Sequence, residues 1–179
     1  MGTDKPESSS VWIIGYGNLQ RRDDGIGHYV VDRISREIGN EAKITLRSMH
    51  QLDPMLAEEV QGAEVVIFVD ATVEPHEHDL IWTRVQPQRP LSPIGMHHLN
   101  LSMLAALLES LYERSPRMWV VSVKANDLGH GEGLSAEAQE KGERAIAEII
   151  QFCCGEVIDN RHGFINDGAC LSGQEESKT

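Results

Sequence analysis

Cations are scarce in this chain. Among 179 residues, 16 Lys and Arg stand against 28 Asp and Glu, a formal net charge of −12. Nucleic acid and anionic membrane both reward clustered Lys and Arg, so neither is expected as the main partner. Cysteine is scarce too: there are three, an odd number, and none forms a C-x-x-C pair. That argues against a disulfide framework and for a reducing, cytoplasmic setting. No apolar run approaches the roughly 20 residues that a transmembrane helix requires. Met1 to Ser10 is polar and lacks the apolar segment of a signal peptide. Pro6 stands where the myristoylation pattern opened by Met1-Gly2 needs Ser or Thr. What remains is an ordinary globular composition, long enough to bury roughly 70% of its unfolded surface as one domain.

Hydrophobic runs and helical patterns alternate along it. Val11 to Gly17 reads as a buried strand, and Gly27, Val30, Val31, Ile34 and Ile38 recur at helical spacing up to a stop at Gly39-Asn40. Lys43 to Met49 alternates like a strand. Asp53-Pro54 predicts an N-cap and first helical position of a short helix ending near Gly62. Glu64 to Asp70 is nearly all apolar, as a parallel strand covered on both faces must be. A polar edge strand follows over Asp79 to Gln86, then a proline-rich loop over Pro87 to Pro93 and a helix over His97 to Arg114. Met118 to Val123 is another buried strand, Lys124 to Leu134 a glycine-bearing loop, and Ser135 caps a last helix running to Cys153. The expected architecture is α/β: a three-layer sandwich with a mainly parallel twisted sheet of about five strands and helices on both faces. It spans residues 11–155, between a polar tail at 1–10 and an irregular tail at 156–179.

In such sheets ligands bind beyond the carboxyl ends of the strands. Three polar clusters fall there: the loop Gly15 to Gly27 (GYGNLQRRDDGIG), Asp70 at the end of the third strand, and His97-His98 opening the later helix. The glycine loop is no dinucleotide fingerprint, since Gln20 occupies the third glycine position, and it has no G-K-[ST] phosphate loop. Asp23 reads as a helix cap, which leaves the adjacent Asp24 without a structural duty. Asp70 closes an apolar strand and needs a cation or hydrogen-bond donors to offset its burial. Turn capping is the plainer explanation for it. Asp24, Asp70 and His97 together supply two oxygens and one nitrogen, suited to a divalent metal with a coordination position left open. Cys153, Cys154, His76 and His78 read as packing or solvated residues, Cys170 is unconstrained, and His130 lies in a loop at the same edge.

These three elements resemble the maturation endopeptidases of [NiFe] hydrogenases. That family carries a G-x-G-N-x-x-x-x-D-[DE]-x-x-G opening, matched by Gly15, Gly17, Asn18, Asp23, Asp24 and Gly27. An aspartate ending the third strand is matched by Asp70, and an H-x-L motif by His97 with Leu99, with His98 the alternative one residue on. Ser48 to Leu52 departs from a D-G-G-T-like segment common in the family. The run H-Q-L-x-P-x-L-A from His50 is similar to the branch serving cytoplasmic, bidirectional or NAD-reducing hydrogenases. The resemblance implies one cut that removes the C-terminal extension of a hydrogenase large-subunit precursor after nickel insertion. Asp24, Asp70 and His97 would then be the catalytic and metal-binding residues, and the nickel would come with the precursor. Two rivals stand beside it: a general metal-dependent amidase or peptidase holding its own metal, and a module that binds a partner without cutting it.

Overall fold

The computed structural model describes residues 11–38, 43–75, 77–88, 100–112 and 115–153. Both expected tails, the helix stop at Gly39-Asn40, most of the proline-rich loop, His76, His97, His98, Cys154 and Cys170 lie outside the described residues.

Five strands form one sheet: β1 (Val11–Tyr16), β2 (Ile44–Met49), β3 (Val65–Thr72), β4 (Leu80–Arg84) and β5 (Arg117–Lys124). Their order is β2-β1-β3-β5-β4, parallel except for β4, which pairs antiparallel to β5 at an edge. The helices are α1 (Ile26–Ile38), α2 (Leu56–Val60), α3 (Leu101–Leu111) and α4 (Ala136–Cys153). Alternation along β3 divides the core. Val65, Ile67 and Val69 pack with Ile26, Val30 and Ile34 of α1 and Ala145, Ile146 and Ile149 of α4. Val66 and Phe68 face the other way, against Leu56 and Val60 of α2 and Leu104 and Leu108 of α3. This is the expected three-layer sandwich.

Several boundaries differ from expectation. Asp70 is not the last residue of β3, which runs on to Thr72 because β5 continues beside it, pairing Ala71 with Val123 and Thr72 with Lys124. On the other side β1 runs out earlier, with Gly15 opposite Val69 as the final pair. Asp70 therefore stands where the sheet is paired on one side and open on the other. α2 starts at Leu56 rather than Pro54: the Asp53 side chain accepts from the Met55 N–H at 2.8 Å, and three-residue turns lead into the helix. α3 starts at Leu101, where the Asn100 side chain caps it by accepting from the Met103 N–H at 2.9 Å. The expected opening at His97 is thus too early by four residues, because the capping side chain comes later. Ser135 caps α4 as expected, its hydroxyl accepting from the Ala138 N–H at 3.1 Å.

Candidate active site

The strand order places a topological switch between β1 and β3. The chain leaves β1 for β2 on one side and returns to β3 on the other, opening a crevice at their carboxyl ends. Two of the three expected site residues stand beside it: Asp24 in the loop after β1, and Asp70 near the carboxyl end of β3.

Asp70 lies on the α2/α3 side of β3, in step with Val66 and Phe68. Tyr16, the last residue of β1, stands on the same side: its ring meets Phe68 edge-on, with centroids 6.4 Å apart. Its hydroxyl donates a hydrogen bond to the Asp70 carboxylate. Burial is the main influence on Asp70 and pushes its carboxyl up to about 6. The Tyr16 hydroxyl and the Ala71 N–H work against that rise, and the negative charge of Asp24 adds to it. Burial, then the Asp70 charge, raise the Tyr16 phenol far above its ordinary value, so it stays a donor. At this half-buried edge the Asp24 charge adds to the effect of burial on Asp70, an arrangement whose repulsion a cation would offset.

Asp24 reaches this edge through a tight loop. Gly17 has φ +142°, and a Cβ there would lie 1.9 Å from the Asp24 carbonyl oxygen, so only glycine lets the chain turn back this closely. The Asn18 N–H then donates to the Asp24 carboxylate at 3.0 Å, and the Asn18 side chain accepts from the Gln20 N–H at 2.9 Å. Nε2 of His28 donates to the Gly17 carbonyl at 3.0 Å, since a carbonyl can only accept, and so pins the turn from α1. Two residues earlier, within β1, a Cβ on Gly15 would lie 1.9 Å from the Gly27 carbonyl oxygen, so α1 packs directly on β1.

Asp23, expected as the cap of the helix that follows it, does not cap α1. It sits in a 3₁₀ turn (Arg22–Gly25) ahead of α1, and its fully buried carboxylate accepts from residues 126, 127 and 135 in the loop after β5. Burial raises its carboxyl, but the bonds from Ser135, Asp127 and Asn126 outweigh that and hold it below its ordinary value. Sequence reasoning also missed Tyr16 and His28 as supports. The pairing of Tyr16 with Asp70 was readable only from the β1–β3 register. His130 is exposed in the loop after β5.

His97, the third expected ligand, lies outside the described residues. The Gln88 N–H donates to the Ser102 carbonyl at 3.0 Å, so the described chain on either side of 89–99 meets. Among the described residues no group of three or more His, Cys, Asp or Glu is placed to hold a metal ion. None of their helices is long and apolar enough to cross a membrane.

The fold defines a structural class, the α/β fold of hydrogenase maturation peptidases. The [NiFe] hydrogenase maturation protease HycI from Thermococcus kodakarensis KOD1 superposes with a TM-score of 0.64 at 20% identity, covering 81% of this chain and 92% of that one. The hydrogenase maturating endopeptidase HybD from E. coli gives 0.64 at 17% identity over the same shares, 81% and 92%. Hydrogenase 2 maturation peptidase from Thaumarchaeota archaeon SCGC_AB-539-E09 gives 0.61 at 20% identity, covering 82% and 99%. No protein-family model matches the chain, and no curated protein does. The resemblance read from the sequence is thus met at the level of fold.

Proposed function

We propose that this chain is a maturation endopeptidase that removes the C-terminal extension of a [NiFe] hydrogenase large-subunit precursor after nickel insertion. The observation that carries this reading is that Asp24 lies near enough to Asp70 for its charge to act there, at the switch point between β1 and β3, on a fold shared with hydrogenase maturation proteases. His97 completes the proposed ligand set from the sequence pattern. Two carboxylates and an imidazole suit a divalent first-row metal and leave room for a water or a carbonyl oxygen. The nickel belongs to the substrate and would present the scissile bond to this edge.

A divalent cation held there by Asp24, Asp70 and His97 would polarise a carbonyl or acidify a water. The chain's own residues then have distinct tasks. Asp24, held by the Asn18 N–H, offers a fixed anionic ligand. Asp70, with its carboxyl near 6, is ionised at neutral pH yet basic enough to take a proton from an attacking water. Tyr16 orients it by donating to its carboxylate. The acidic composition and cysteine usage support action in the cytoplasm on a protein partner, without nucleic acid or membrane.

Variants test the assignment. Asp24→Asn and Asp70→Asn should each abolish processing of the nickel-loaded precursor while circular dichroism and melting stay those of a folded protein. Full cleavage by either contradicts the ligand assignment. His97→Ala should lose activity and His98→Ala keep it. The reverse result moves the third ligand to His98. Digestion of casein or of short peptides would favour the general peptidase instead.

A further inference from the structure

We propose that Asp23 is a positioning residue, whose buried carboxylate ties the loop after β1 to the loop after β5 and thereby fixes Asp24 at the site. The proposal rests on the reading of Asp24 and Asp70 as metal ligands.

Asp23 is fully buried, and its four bonds all come from a segment more than a hundred residues away in sequence. Oδ2 accepts from the Asn126 N–H at 3.2 Å, the Asp127 N–H at 3.0 Å and the Ser135 hydroxyl at 3.0 Å. Oδ1 accepts from the Ser135 N–H at 2.7 Å. Only an ionised carboxylate accepts at both oxygens without donating, so the residue type is specified by the donors that surround it. Main-chain bonds extend the seam: Asp23 N–H to the Asp127 carbonyl at 3.1 Å, Arg22 N–H to Gly131 at 3.0 Å, and Gly131 N–H to Gln20 at 2.8 Å.

The sheet does not need this seam, because β3 already joins β1 to β5. The loop needs it. The Asp24 carboxylate accepts from Asn18, a residue of the same loop, and that bond ties it to nothing else. Arg22, two residues earlier, holds φ +46°, a left-handed conformation that persists only where the surroundings over-determine it. Asp23 lies between the two and anchors the turn that aims its neighbour.

The test uses the full chain with Ni²⁺ alone as probe. Affinity is read by titration calorimetry and loop order by amide hydrogen exchange. Asp23→Asn keeps the shape but turns an NH₂ toward one set of donors in either orientation. It should weaken Ni²⁺ binding about ten-fold or more, the usual cost of losing a support behind a metal ligand. Exchange at Asn18 should quicken while β3 stays protected. Ser135→Ala, which keeps the carboxylate, should shift affinity less and in the same direction. Asp24→Asn should lose binding with the seam still protected. Unchanged affinity in Asp23→Asn despite a freed loop overturns the proposal. Should Asp23→Asn also lose protection in β3, Ser135→Ala decides: lowered affinity supports the positioning role and unchanged affinity overturns it. A wild-type chain that binds no Ni²⁺, or Asp24→Asn binding as well as wild type, overturns the ligand reading itself.

Discussion

Asp70 stores free energy that the fold must supply. Its carboxyl rises from the ordinary 3.8 to about 6, chiefly through burial. A carboxyl raised in the folded state stabilises most when protonated, so its contribution is full below about pH 4 and is lost as pH rises through 6. The two-unit shift corresponds to about 3 kcal/mol. Asp70→Asn should therefore gain stability over wild type by about 2–3 kcal/mol on going from pH 4 to pH 7.5. Denaturant melts of both proteins at the two pH values measure the change, and a pH-independent difference would show that Asp70 is not desolvated. Tyr16→Phe removes a donor that holds the Asp70 carboxylate ionised. Its acid limb of processing rate against pH should move upward, and a limb unmoved or shifted downward would contradict the support role. Asp24 and Asp70 were legible as candidates because each carried a charge that its local structure did not require. Asp23 was misread for the opposite reason: a cap explained it well enough locally, while its real partners lie in the segment 126–135.

At the scale of elements, the glycine loop works by close approach. Gly17→Ala places a Cβ into the Asp24 carbonyl at a φ that side chains rarely adopt. Strain of about 1–3 kcal/mol adds to the clash, so the variant should melt well below wild type and lose processing. A wild-type melting curve would show that the turn relaxes without cost. Phe68, fully buried beneath Tyr16, should cost about 3–5 kcal/mol when cut to Ala. The strands were readable because β1, β3 and β5 are apolar on both faces, and Ser135 announced α4 correctly. Ends were harder. β3 extends past Asp70 because β5 does, a neighbour's property that no window around Asp70 contains. α3 begins at Leu101 because Asn100, not His97, offers the capping oxygen.

On the scale of the whole molecule, sheet order matters more than any motif. With β1 between β2 and β3, the loop after β1 and the end of β3 share one crevice, and Asp24 and Asp70 meet there from positions 46 residues apart. Alternation of strands and helices foretold a parallel sheet with an edge strand. The order itself came only with the structure, since parallel neighbours are chosen by crossovers and packing rather than by local pattern. The net charge of −12 sits outside this site's logic and favours solubility and a partner that is not an anionic polymer. The central claim is tested most directly by incubating the purified chain with a nickel-loaded large-subunit precursor and, in parallel, a nickel-free one, and reading intact mass. One new C-terminus is expected in the loaded sample alone. An uncut cognate precursor, or equal cleavage with and without nickel, would contradict it.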